Sequence, residues 1–158
     1  MEYTCAYQSP IGPITLAGDG EKLTGLWFDG QKYFGATLDP EHETADLPVF
    51  DETRRWLDLY FAGEEPGAPP PLAPKGSSFR QAVWDVLSQI PRGETVTYGA
   101  IAQRLGVRSA QAVGGAVGHN PISIIIPCHR VLGADGSLTG YAGGTEKKAY
   151  LLALEGYK

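Results

Sequence analysis

The chain has 158 residues, 42% of them hydrophobic and 20% charged, enough to bury a core in one domain or two small lobes without metal or disulfide staples, which excludes a disordered chain. No apolar run approaches the ~18 residues of a membrane span, and Met1-Glu2-Tyr3-Thr4 lacks the basic-then-apolar order of a signal peptide, so a cytoplasmic protein without a membrane partner is expected. The formal charge of -5 argues on average against a polyanionic partner, but it is unevenly spread: 5 basic and 13 acidic side chains precede Phe79, a balance of -8, and 8 basic and 5 acidic follow, a balance of +3.

Short apolar runs open the chain, Tyr3 to Gln8, Ile14 to Ala17 and Leu23 to Phe28, punctuated by turn residues such as Gly18-Asp19-Gly20. They predict an antiparallel sheet. A helix is expected from about Pro48 to Phe61, with Phe50, Trp56, Leu57, Tyr60 and Phe61 on one stripe. Five prolines between Ala62 and Pro74 forbid helix interior and central strand, which predicts a stiff extended connector and two domains, 1–75 and 76–158. Cys5 and His42 are the only plausible metal ligands in the first lobe, too few for a structural site, so no metal is expected.

Ser78 with Gln81 three residues later has the spacing of a capping box, and Phe79, Val83, Trp84, Leu87 and Ile90 supply the buried face of the helix it opens. Thr97 caps a short helix, Tyr98 to Leu105, stopped by Gly106. Ser109 caps another, Ala110 to His119, stopped by Asn120-Pro121. Joined by a four-residue turn, the two have the layout of a helix-turn-helix. Gly114, Gly115 and Gly118 make the second a poor helix, at about 1 kcal/mol each relative to alanine. Close approach of an external partner and tight packing on a neighbouring helix explain that bareness equally well.

Ile122 to Ile126 is a β-branched run that reads as a buried strand, leading into Pro127-Cys128-His129-Arg130-Val131. Cationic neighbours favour a thiolate, which makes Cys128 the candidate nucleophile. The alternative is a small buried hydrophobe, the usual fate of a lone cytosolic cysteine. Adjacent residues of extended chain point to opposite faces, so His129 can activate Cys128 only through a bend or a bridging water.

These residues carry a resemblance. Pro127 to Val131, with Ala112-Val113-Gly114-Gly115-Ala116 and Asn120-Pro121 before it and Gly140 to Gly144 and Leu151 to Gly156 after it, is similar to the O6-alkylguanine-DNA alkyltransferase family. The match runs from about Phe79 to Gly156 in consistent order, and the first lobe matches in layout alone. The resemblance implies an α+β fold: a small ribonuclease H-like α/β domain, then a mainly helical, winged-helix-like domain with the helix-turn-helix and the active-site cysteine.

It also implies a monomer acting on double-stranded DNA that contains O6-alkylguanine, without a cofactor, and moving the alkyl group irreversibly to Cys128. His129 would deprotonate Cys128 through a water and be oriented by Glu155. Tyr98 would assist base flipping and donate to the base, and Asn120 would brace the turn before the active site. Carbonyls of Cys128 and Val131 would accept from the guanine amino group, the Ala142 amide would meet O6, Tyr141 would line the pocket and Lys148 would support the leaving base. Gln111, Ala112, Gly114, Gly115 and Arg130 would contact DNA. Gln111 stands where the family typically carries an intercalating arginine, which implies weaker duplex binding. Other readings are a lesion sensor that binds without transfer, a helix-turn-helix regulator with an inert thiol, and a cysteine hydrolase.

Overall fold

Two turn signals fold the first apolar runs back on one another: Ser9 Oγ donates to the Gly12 carbonyl at 2.7 Å, and Asp19 Oδ1 accepts from the Glu21 and Lys22 amides at 2.9 and 2.8 Å. In a computed structural model, which describes residues 1–138 and 140–157, these runs are β1 (Glu2–Ser9), β2 (Gly12–Gly18) and β3 (Leu23–Phe28). They pair antiparallel, with Cys5 opposite Leu16 and Leu16 opposite Leu26. A short exposed strand that the sequence reading did not anticipate, β4 (His42–Thr44), adds in parallel to β1 and gives the order β3-β2-β1-β4. Helix α1 (Pro48–Phe61) starts with proline in its first turn and packs on β1, β2 and β3 through Val49, Phe50, Thr53, Leu57 and Tyr60. Trp56 and Phe61, expected on the same stripe, are half-buried, and Trp56 stacks on Tyr60 at 5.5 Å.

All six residues of β3 are buried, because the outer edge of this strand is covered rather than open. Leu23 exchanges hydrogen bonds of 2.8 Å with Pro71 and Ala73, so the end of the proline-rich connector lies along the edge. Leu26 bonds Pro121 at 2.8 Å and Ser123 at 2.9 Å. The chain accordingly divides into two compact units, Met1–Lys75 with Pro121–Ser123, and Gly76–Asn120 with Ile124–Lys158.

The strand expected over Ile122 to Ile126 does not form. Only Ile122 makes an isolated bridge, to Leu26, and Ile124 adopts the left-handed region at φ 70°, a conformation that breaks any strand and is rare for a β-branched residue. Ile122, Ser123, Ile124 and Ile126 are nonetheless buried, so the run satisfies the core by composition while its backbone turns. Asn120 Nδ2 closes the base of this turn on the Ile126 carbonyl at 2.8 Å.

The second unit contains α2 (Ser78–Leu87), β5 (Val96–Thr97), α3 (Tyr98–Leu105), α4 (Ala110–Gly118), β6 (Val131–Leu132) and α5 (Thr145–Leu154). The cap of α2 is Ser77, whose Oγ accepts from the Arg80 amide at 3.2 Å; Ser78 is the first helical residue, a one-residue correction to the expected capping box. Thr97 and Ser109 cap α3 and α4 as expected, and Gly106 ends α3 at φ 70°. Helix α4 stops at Gly118, with His119 as its cap. Val83, Trp84, Val86 and Leu87 form the buried side of α2, with Ile90 buried just beyond it, while Phe79 is half-buried. Trp84 Nε1 donates to the Ala116 carbonyl at 2.9 Å, fixing α4 on α2 through a helix-end carbonyl. Among the described residues, no helix is long and apolar enough to cross a membrane. Trp84→Phe removes the donor but keeps most of the ring, and is expected to lower unfolding free energy by about 1–3 kcal/mol in urea titration, the cost of a buried acceptor left unsatisfied.

Candidate active site

Three short elements converge on Cys128. Strands β5 and β6 pair in parallel, Val96 opposite Val131 and Thr97 opposite Leu132, so the start of α3 is registered against the chain that follows the cysteine. Residues Cys128–Arg130 form a single 3-10 turn between Pro127 and β6, and α5 lies against that turn. The bend required for adjacent residues to act together is therefore present: Cys128 and His129 sit on a helical turn rather than on extended chain.

The Cys128 thiol is buried. Burial pushes it up to about 11, against the opposing effects of a hydrogen bond from the Asn120 side chain and of the Lys148 charge. The expectation that cationic neighbours favour the thiolate is thus corrected: desolvation outweighs them, and the resting sulfur is protonated. Asn120, buried as well, donates to the Ile126 carbonyl across the turn that leads to the cysteine.

His129 and Glu155 both have fully buried side chains, and His129 Nε2 lies 2.6 Å from Glu155 Oε2. Burial holds the imidazole below its ordinary range; Glu155 opposes that shift, while Arg130 and Lys148 add to it. A neutral ring beside a carboxylate carries its proton on Nε2 and donates it to Glu155, leaving the lone pair on Nδ1. Nδ1 is buried and has no hydrogen-bond partner among the described residues. The pair has the arrangement of a base held by an orienting carboxylate.

Arg130 is placed differently from its expected role at the DNA. Its Nε donates to Glu155 Oε1 at 2.7 Å and its Nη1 to the Ile90 carbonyl at 2.6 Å, with the side chain only 12% exposed. The guanidinium is turned into the site, and the sequence held no sign of this, since the partner is 25 positions away.

The loop before α5 completes the surroundings. Tyr141 is buried, with its ring edge-on to His129 at 6.4 Å. Ala142 is half-buried. Lys148 is fully buried on α5, donates to the Val131 carbonyl and is pulled down to about 8 by burial, with Cys128 opposing. The Cys128 carbonyl accepts from the Val131 amide. Each of these two carbonyls has an internal donor, and a carbonyl oxygen can accept a second bond. Tyr98 opens α3; burial first, then the Cys128 charge, raises its phenol. A Cβ on Gly140, at φ 80°, would lie 2.8 Å from the Tyr98 hydroxyl, so a side chain there would be strained and would displace the phenol.

On α4, Gln111, Ala112 and Gly115 are exposed and Gly114 is half-buried. A Cβ on Gly115 or Gly118 would meet nothing within 4 Å, and one on Gly114 would make ordinary contact with the Tyr98 ring at 3.9 Å. Packing within the chain does not require these glycines, which removes one of the two explanations the sequence left open.

The family model described as 6-O-methylguanine DNA methyltransferase, DNA binding domain, matches residues 78–157, and that of the ribonuclease-like domain matches residues 3–67. The chain belongs to the 6-O-methylguanine DNA methyltransferase family. It is 47% identical to the methylated-DNA--protein-cysteine methyltransferase of Methanosarcina acetivorans over 98% of both chains, and 46% identical to that of Haemophilus influenzae over 97% of this chain and 86% of that one. The solved structure of Mycobacterium tuberculosis OGT in complex with DNA superposes with a TM-score of 0.85 at 47% identity, covering 98% of this chain and 91% of that one. An O6-methylguanine DNA methyltransferase from Methanococcus jannaschii gives 0.67 at 30% identity, over 96% and 92%. The fold expected from the resemblance is the fold of this methyltransferase family.

A thiol pushed up to about 11 by burial is expected to react slowly at neutral pH. Alkylation of Cys128 by iodoacetamide, followed by intact mass, is expected to keep accelerating beyond about pH 9, whereas a free cysteine levels off above its pKa of ~8.5; a plateau below about pH 8 would contradict the thiol described here.

Proposed function

We propose that the chain repairs alkylated DNA by direct reversal, transferring the alkyl group of O6-alkylguanine to Cys128 in a single irreversible turnover. The observation that carries the roles is the buried Cys128 thiol on the same turn as the neutral His129 ring, which is paired with the Glu155 carboxylate. A thiol that is protonated at rest needs a base close by and a reaction site closed to water. The unpartnered Nδ1 of His129 supplies the base, and a water linking it to the sulfur accounts for proton removal without direct contact.

The thiolate sulfur attacks the alkyl carbon. A carbon–sulfur bond forms as the carbon–O6 bond breaks, and its electron pair passes to the guanine, which takes up a proton. Tyr98 is the donor nearest in kind, its phenol held protonated by burial. The Cys128 and Val131 carbonyls suit the guanine amino group, and the Ala142 amide suits O6. Tyr141 walls the pocket, and Lys148 holds the Val131 carbonyl in place. A thioether is not cleaved by water, so each molecule acts once. The reacting carbon is inaccessible in stacked duplex, so the nucleotide must be flipped out.

The bare face of α4 suits close approach to a DNA groove, where small residues admit the backbone. Gln111 at its exposed start can fill the gap left by the flipped nucleotide through its amide, without the charge of an arginine. The protein acts as a monomer in the cytoplasm on double-stranded DNA, with no cofactor in the step.

Mixing with a duplex containing O6-methylguanine is expected to give one methyl adduct on Cys128 by peptide mass mapping and none in Cys128→Ala. An unmodified protein that still binds the lesion would instead make it a sensor. The α4 surface has its own test: Gly115→Ala is expected to raise stability by about 1 kcal/mol yet weaken duplex affinity, while Gln111→Arg strengthens affinity. Unchanged affinity in both would remove α4 from the interface.

A further inference from the structure

Each carboxylate oxygen of Glu155 meets a side chain of the cysteine turn. Oε2 faces His129 Nε2 at 2.6 Å, and Oε1 accepts from Arg130 Nε at 2.7 Å. Neither side chain of the histidine–glutamate pair reaches solvent, and the guanidinium is only 12% exposed. The second arm of Arg130 is tied to the Ile90 carbonyl just beyond α2, so the fork cannot swing away from the carboxylate. We propose that Arg130 is a positioning residue of the transfer step: by occupying one oxygen of Glu155 it offsets the carboxylate's charge, keeps the His129 ring neutral, and fixes Glu155 so that the lone pair of Nδ1 stays on the side of Cys128.

The reasoning is electrostatic. A buried imidazole facing an unshared carboxylate is drawn toward the imidazolium form, which is no longer a base. A cation on the far oxygen weakens that pull while leaving the orienting hydrogen bond intact. The other groups facing His129 act with it or leave it unchanged. Lys148 on α5 also disfavours the imidazolium, Cys128 on the same turn is protonated at rest, and Tyr141 presents a ring. Tyr98 on α3 faces Cys128, and Arg92 is engaged with the Leu154 carbonyl at 3.4 Å. Arg130 is thus a cation that touches the same carboxylate as the base.

This inference rests on the reading of Cys128 as acceptor and His129 as base. Single-turnover methyl transfer is measured against pH for the full chain, Arg130→Met and Arg130→Lys, together with the titration of the His129 ring by NMR. Arg130→Met is expected to move both the acidic limb of the rate profile and the ring midpoint upward by about one pH unit, the scale of one neighbouring charge, which appears as a roughly tenfold slower transfer on that limb. Arg130→Lys keeps a cation but not the fork, and is expected to shift both by a smaller amount in the same direction; it carries the test alone if Arg130→Met does not fold. A rate lowered equally at every pH, or a ring midpoint that stays in place, overturns the proposal and leaves Arg130 a structural tie. His129→Gln separates this from the reading beneath it: if that variant retains the full rate and the same acidic limb, the histidine is not the base, whatever Arg130 does.

Discussion

A carboxylate sealed from solvent organises the second unit. Glu155 caps the end of α5, and through its two oxygens it holds the histidine and the arginine of the Cys128 turn. Burying a charge costs several kcal/mol unless its lone pairs are met, and removing one partner of such a group leaves that cost uncompensated. The carboxylate therefore binds α5 to the cysteine turn, and Arg130 extends the tie to Ile90 beyond α2. Three pieces of chain that are distant in sequence are held at one point by a group too costly to leave unpaired.

The cysteine is tuned by the same enclosure. Desolvation keeps the thiol protonated and the imidazole neutral, so the site holds a weak acid beside a weak base rather than a preformed ion pair. Lys148 and the Asn120 hydrogen bond favour the thiolate once it forms. Asn120 also closes the turn to Ile126, which links the end of α4 to the approach of Cys128. The surface suited to DNA and the reacting atom thus share a short stretch of chain.

Much of this was legible from residue order. Thr97, Gly106 and Ser109 announce their helices because caps and left-handed glycines act within a few residues. The sheet of the first unit was legible from its turns, but β4 was not: His42 to Thr44 is polar and exposed, and pairs only because β1 offers a free edge. Ile122 to Ile126 misled for the opposite reason. Its composition suits burial, and burial is what it has, but Leu26 captures the run at Ile122 and the chain then turns through Ile124.

The sequence by itself determined the family and the local helices, because motif order and caps are written in the chain, and the resemblance it carries named Cys128, His129 and Glu155 as residues expected to act together. Tertiary structure decided their condition. It made Cys128 a buried thiol instead of a thiolate, turned Arg130 from the expected DNA surface onto Glu155, and showed that the glycines of α4 answer to no neighbour in the chain. Protonation, pairing and free space depend on what surrounds a group in three dimensions, and those surroundings come from residues tens of positions away.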